Sequence, residues 1–559
     1  MGDKGHVDHP ALRLARDAFA ALAYLVLASC GGSSDGAASS GTTSSSGGGA
    51  APAVTAFTAQ PMSINSGSSS TLSWTTTGAG SIAIAPGAIT STPASGSVSV
   101  SPSATTTYTL SASNSAGVTT ATVTVIVTSL MPGGPLALMT TSCPGGTQGA
   151  AYSGCALAAS GGTPPYTFSV AATANNPPLP EGMALDAASG EVSAATIGGQ
   201  GSYGTVLVVT DAAHAQASRQ ITFAVTGNNG FLAAIFPASS IFHHRVDAAS
   251  TSLPVDASPA AAIDSAYLSA TIKPFFGNAS NAAFPNGIPA FEVPASQADV
   301  AVSTTLYQSY FTSGPIPAYA PVEGTSASSG DRHVLVYRQG GGSNSPALYE
   351  MWQGIYEGGP WTDSSNALWP DASSNALTAQ GNGTSDAAGL PVAPLLVNAD
   401  EVIGSGSASA PAGVVMHPVR FTLNHMLNYW VWPATETAGV GSCATAGVTI
   451  PTQNQISQSV PPTSCTMSGP AGEIYRLKAS VATPACAATS PQAAIIITGF
   501  RNYGIILADN GMSGGLIGTP DVRWNDADLS CLTSLTLADF EAVNVSGLIV
   551  SNDSGQTSH

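Results

Sequence analysis

Residues 328–352 read Ser328-Ser329-Gly330-Asp331-Arg332-His333-Val334-Leu335-Val336-Tyr337-Arg338, then a glycine-rich break, then Ala347-Leu348-Tyr349-Glu350-Met351-Trp352. β-Branched and aromatic side chains fit a pleated, half-buried surface, so the Val334 to Tyr337 and Ala347 to Trp352 runs are expected to be strands. Gly340, Gly341, Gly342, Ser343 and Asn344 between them are turn formers, which makes the pair a hairpin. Folding it back brings His333 close to Glu350, with Asp331 alongside. A slip of one residue sends the two side chains to opposite faces, and spacing alone leaves that register open. This is the densest chemistry in the chain, yet it matches no reaction motif.

Outward from the hairpin, a domain spanning 231–559 takes shape. Strands are expected at 333–338, 347–352, 417–423, 429–432 and 473–481, in a predominantly antiparallel pattern. One helix is expected after Ser490: Pro491 suits the first helical position, the Ala493 to Tyr503 run is apolar, and Gly504 suits the C-terminal cap. Ile505-Ile506-Leu507-Ala508 follows as a buried strand ending at Asp509-Asn510-Gly511. Six of the seven tryptophans lie in this region. The expected fold is mainly β, a β-rich domain with a packed helix.

With 559 residues the chain should hold several domains, because single cores rarely grow past roughly 250–300 residues. Only 8% of residues are charged, the net charge is −18, and there are three lysines, which argues against nucleic acid or an anionic membrane as a partner held by a basic patch. The composition is that of an exported, Thr/Ser/Gly-rich β-protein.

Lys4, Arg13 and Arg16 precede an apolar run from Ala18 to Ala28, too short for a permanent bilayer span and suited to the core of an export signal. It ends Leu27-Ala28-Ser29-Cys30, which resembles the lipobox of bacterial lipoproteins. The resemblance implies a signal peptide over 1–29, cleavage before Cys30 and lipidation of its thiol, so that a membrane is a partner through the anchor. Gly31 after the cysteine implies outer-membrane sorting in a Gram-negative cell. Residues 30–52 read as a flexible Gly/Ser tether.

Two small modules follow. Over 53–128, Thr122-Val123-Thr124-Val125-Ile126-Val127 alternates as a strand with one buried face. Leu72 and Trp74 lie in one strand, and Tyr108 precedes Leu110 by two. The arrangement resembles an immunoglobulin-like module in which Leu72 and Leu110 replace the bridging cysteines, Trp74 packs on them and Tyr108 is the corner tyrosine. Over 135–228, Gly161-Gly162-Thr163-Pro164-Pro165-Tyr166-Thr167-Phe168, Leu179-Pro180-Glu181-Gly182-Met183 and Ser189-Gly190-Glu191-Val192 resemble the putative-Ig, cadherin-like repeats of secreted bacterial proteins. Asp186, Glu191 and Asp211 read as turn and strand-end residues, since no calcium-type acidic cluster accompanies them. Both modules look like a stalk.

The terminal domain resembles an uncharacterised group of secreted bacterial proteins through the segments at 329–336, Ser385-Asp386, His417 to Phe421, Trp432-Pro433, Arg476 to Lys478, Asp509-Asn510 and Pro520 to Trp524. That resemblance carries a boundary and no activity.

Besides Cys30 there are six cysteines, enough for three bridges in an oxidising compartment. The expected pairs are Cys143 with Cys155, Cys443 with Cys465 and, by elimination, Cys486 with Cys531. No cysteine or histidine spacing points to a metal, and no cofactor is implied.

Glycoside hydrolysis would need two carboxyl groups roughly 5–9 Å apart, one kept protonated by a less polar setting. The candidates are Glu350, Asp386, Glu401 and Asp331, with Glu350 set apart by its aromatic strand. Elimination of a uronic-acid polymer would need His333 as base and Arg476 to neutralise the sugar carboxylate. Trp361 and Trp369, in a Gly/Ser/Asn-rich loop, are candidate sugar platforms, and Arg476 with Lys478 on one strand face a candidate acidic subsite. These residues also have plain structural readings: turn caps, a satisfied sheet histidine, charge pairs. The resulting expectation is a surface-anchored protein that binds or cleaves an extracellular polysaccharide, as a glycoside hydrolase or polysaccharide lyase if an enzyme. The alternative is a non-catalytic adhesin or a structural surface protein.

Overall fold

In Ser70–Thr77 the side chains of Ser70, Leu72, Trp74 and Thr76 point inward and their neighbours outward, the period-2 pattern of a half-buried strand. That strand sits between Ala53–Gln60 and Ser95–Val100 in one sheet. It packs on a second sheet ordered Ser63–Asn65, Gly117–Thr128, Thr106–Asn114, Ser81–Ala85 and Ile89–Ser91. Leu72 and Leu110 are fully buried in one cluster with Trp74 and Tyr108, so an apolar pair stands where a disulfide could have pinned the sheets. Gly96 pairs with Trp74, and a Cβ there would lie 2.6 Å from the indole; the ring needs the missing side chain. The module is an Ig-like β-sandwich.

The structure, a computed structural model, describes residues 50–558 except 66–67, 88, 92–93, 129–133, 173–177, 248–252, 259–260, 278–285, 308, 325–329, 371–373, 378–383, 439–442, 446–447, 450–463 and 466–468. The signal, the lipobox and all but the end of the tether therefore fall outside the described residues, Cys30 included.

The second module is again a β-sandwich, with Gly146–Thr147, Gln216–Thr226, Gly201–Thr210 and Thr167–Val170 in one sheet and Tyr152–Ala156, Glu191–Ala194 and Ala184–Leu185 in another. Cys143 and Cys155 are bonded. Asp186 accepts the Ala188 and Ser189 amides, and Asp211 those of Thr163, Ala213 and Ala215, so both carboxylates close turns.

Between this module and the terminal domain the chain is pinned by polar contacts. Gln148 Nε2 donates to the carbonyls of both Gly198 and Ala290, the Gly227 amide donates to Asp521, and the Asn229 amide to Asp400. Arg523 closes the junction by pairing with Asp521 and Asp400, both at 2.7 Å. Polar groups that need one another, Gln148, Asn229 and Asp521 among them buried, hold the second module on the domain.

The terminal domain is built on a six-stranded sheet in the order Lys273–Phe275, Gly515–Ile517, Val419–Leu423, Ile505–Asn510, Ile474–Leu477, Phe540–Ala542. Its central pair, Val419–Leu423 with Ile505–Asn510, is parallel, as are Lys273–Phe275 with Gly515–Ile517 and Ala290–Val293 with Val334–Arg338. The expected antiparallel pattern holds only for part of the domain. Strand direction is set by the connections, which local periodicity does not encode. The helix is Pro491–Asn502, followed by Gly504 at φ 83°, as its end signals require. Ser490 holds the N-cap position without a side-chain bond; Asp528 caps instead, accepting the amides of Gln492 and Ala493 at 3.0 and 3.1 Å. Cys486 and Cys531 are bonded beside this helix. The Cys443 and Cys465 backbones are register partners, while their side chains lie outside those described.

Candidate functional site

The expected hairpin forms, Val334–Arg338 against Ala347–Trp352, inside a four-stranded sheet with Ala290–Val293 and Ser365–Trp369. Its register pairs Leu335 with Glu350. His333, two residues before Leu335, therefore shares the face of Glu350. The two side chains meet through a third residue. His333 Nε2 lies 3.0 Å from the Ser385 carbonyl, and the Ser385 hydroxyl donates to Glu350 at 3.1 Å.

Glu350 is wholly buried and also accepts the amides of Val392 and Ala393. Burial pushes its carboxyl up to about 7 against the pull of those amides. It is a structural anchor beneath the surface, and its place as the leading catalytic carboxyl is corrected accordingly. His333 is 3% exposed and lines the cleft that opens above it. Burial alone would depress the imidazole, but Glu323, 2.6 Å from Nδ1, overrides it and holds the ring at about 9, protonated at neutral pH.

Above this layer opens a cleft of about 500 Å³ lined by Tyr307, Asp331, His333, Trp352, Ser385, Asp386, Glu436, Asp509 and Asn510, among others. Asp331 is exposed and accepts the Trp352 indole N–H at 3.1 Å. Arg332 and Gln353, on either side, have φ of 47° and 56°, a left-handed conformation uncommon without glycine. The Gln353 amide donates to the Asp331 carbonyl and the Gly354 amide to that of Arg332, which locks both strand ends at the cleft. Tyr307, 62% exposed, stands with its ring 6.1 Å from that of Trp352.

The floor carries charge. Asp386, fully buried, accepts the amides of Ala388 and Leu390 and lies 2.8 Å from Arg420 Nη2. The same nitrogen is 3.7 Å from Asp509. A β-bulge brings Asp509 there: Phe421 pairs with Leu507 but Thr422 with Asp509, so one extra residue turns Asp509 onto the face of Arg420. Burial and the nearby Asp386 charge push Asp509 up to about 7, although its side chain stays 24% exposed to the cleft.

Trp361 and Trp369 are not on the rim. Both sit on strands, Trp361–Asp363 and Ser365–Trp369, and are 1% exposed, so neither indole can stack on a sugar. Arg476 is also internal: it donates to Glu541 and to the carbonyls of Val246 and Leu253, while Lys478 lies just past the strand end and donates to the Ala538 carbonyl. No acidic subsite forms between them, because a strand that ends at Leu477 does not carry both side chains side by side. Arg420, Glu323, Tyr307, Glu436 and Asp509 are the site residues that sequence reasoning passed over. One signal was present for Arg420: an arginine inside the apolar strand Val419–Leu423 demands a buried anion.

No protein-family model and no curated protein matches the chain. Among solved structures it is similar to the N-terminal eight Ig domains of Down syndrome cell adhesion molecule, at 16% identity over 31% of this chain and 24% of that one, TM-score 0.14. It is similar to a C-terminal 282-residue fragment of intimin bound to the intimin-binding domain of its translocated receptor, at 18% identity over 31% and 65%, TM-score 0.14. It is also similar to titin domains Z1Z2 in complex with telethonin, at 16% identity over 32% and 98%, TM-score 0.14. Scores this low carry no argument, and the Ig-like character of the first module rests on its own strand order and core.

Proposed function

We propose that this is an exported, lipid-anchored surface protein whose terminal domain binds a segment of an extracellular polysaccharide in the Asp331–Asp509 cleft. The observation that carries the reading is the pair of exposed Tyr307 and half-buried Trp352, which both line a cavity that also holds carboxylates and an amide. Sugar C–H faces stack on such rings, and their hydroxyls pair with groups such as Asp331, Glu436 and Asn510. Bonded cysteines at 143–155 and 486–531 fit an oxidising compartment outside the cytoplasm. The Leu27 to Cys30 segment supports the anchor; Cys30→Ser should abolish incorporation of labelled fatty acid.

A second reading, hydrolysis, has one observation in its favour. Asp509, held near 7, and Asp331, an exposed carboxyl in a more open setting, line the same cleft.

Retention of the full chain on a panel of neutral and acidic polysaccharides, with reducing ends followed in parallel, tests both. Retention on one polymer that drops roughly threefold to tenfold in Tyr307→Ala and Trp352→Ala supports binding. Release of reducing ends that Asp509→Asn abolishes supports hydrolysis. Retention unchanged in both aromatic variants would sink the proposal.

A further inference from the structure

A second cavity, of about 200 Å³, opens elsewhere in the terminal domain, lined by Asp256, Tyr429, Trp432, Glu473, Asn544 and Ser546 among others. An apolar cavity of about 150 Å³ is enough for benzene, so this one admits a small molecule or a side chain. Glu473 immediately precedes the strand Ile474–Leu477 of the central sheet and is 3% exposed. Its carboxyl has no hydrogen-bond or ion-pair partner among the described residues, although it lines the cavity. Buried carboxylates are ordinarily paired, and Glu350, Asp386 and Asp528 in this same domain all are.

The surroundings say what is missing. Asp256 adds a second carboxyl, whose Oδ1 accepts the Ser258 amide. Burial and then the Asp256 charge hold the Glu473 carboxyl well above the ordinary range. Burial first, and then the Glu473 and Asp256 carboxyls, raise the phenols of Tyr429 and Tyr475. No lysine, arginine or histidine lines the cavity, so no side chain there supplies a counterion to either carboxyl.

We propose that this cavity is a binding site for a small organic cation, a primary ammonium group that lies between Glu473 and Asp256 with its carbon skeleton against Tyr429 and Trp432. The ammonium replaces the proton on Glu473 and supplies the counterion. Aromatic walls favour an organic cation, by attraction to the ring faces. A calcium ion asks for six to eight oxygens, and among the described residues no group of three His, Cys, Asp or Glu side chains gathers here. The site stands apart from the cleft of the proposed function and does not depend on it.

Calorimetric titration of the full chain with n-butylamine, n-butanol and calcium chloride tests the proposal. Butylamine is expected to bind at least about tenfold more tightly than butanol, and Glu473→Gln to remove that preference. Should Glu473→Gln fail to fold, Asp256→Asn, which keeps the acceptor for the Ser258 amide, is expected to weaken butylamine binding at least about threefold. Equal binding of amine and alcohol, binding of calcium without the amine, or amine affinity unchanged in either folded variant would overturn it.

Discussion

Arg420 and Asp386 form an ion pair 2.8 Å long in which both side chains are fully buried. Two charges withdrawn from water hold only while each has the other, and Arg420 Nε and Nη1 have no hydrogen-bond partner among the described residues. Asp386→Ala should therefore cost about 3–5 kcal/mol, read as a shifted urea midpoint. It also frees the Ala388 and Leu390 amides. A cost below about 1 kcal/mol would show that the guanidinium finds another partner.

Stability should fall as pH rises across the neutral range, the reverse of the common carboxylate behaviour. Glu181, Glu350 and Asp509 have folded values raised to about 7, so each holds its proton more tightly folded than unfolded. Their contribution is complete below about pH 4 and is lost as pH climbs through 7. His333, raised to about 9, contributes fully below about pH 6.5 and loses that contribution as pH passes 9. For His333 the shift corresponds to about 3 kcal/mol. Denaturant titrations from pH 4 to 10 check the direction, and a midpoint that rises steadily from 4 to 7 would contradict it.

Asp528, and not Ser490, should carry the cap of the Pro491–Asn502 helix. Asp528→Ala is expected to cost about 1–2 kcal/mol and Ser490→Ala less than about 0.5, because only Asp528 meets the free amides. Thermal melts of the two variants side by side decide it; equal losses would contradict the assignment.

The two classes of tryptophan should separate cleanly. Trp361→Ala removes a core ring and should cost about 3–5 kcal/mol while leaving retention per folded molecule unchanged. Trp352→Ala should do the opposite, reducing polymer retention with a cost to stability below about 2 kcal/mol. Retention assays normalised to the folded fraction measure both, and a Trp361 variant that folds but no longer binds would move the site.

Much of the fold is legible in the residues because it is local. Leu72 and Trp74, spaced by two, face one core, and Pro491 and Gly504 mark a helix that starts and stops where they stand. The site is only half legible. Asp331, His333 and Asp386 do line the cleft, yet Glu350, the most conspicuous of the set, lies under it, and its aromatic neighbours were a sign of burial. Trp361 and Trp369 misled for a related reason: polar residues around them suggested a loop, whereas the strands they occupy put both rings inside.

By itself the chain's order of residues determined the alternating strands, the capped helix, the hairpin and the cysteines available to pair, all of which follow from steric preferences over a few neighbouring positions. Only the tertiary structure decided which charges meet. Arg420 reaches Asp386 and Asp509 because a parallel strand pair carries a one-residue bulge, and no run of neighbours encodes that. A buried charge takes its partner from whichever strand the chain's distant connections lay beside it, since the dry interior leaves it no alternative.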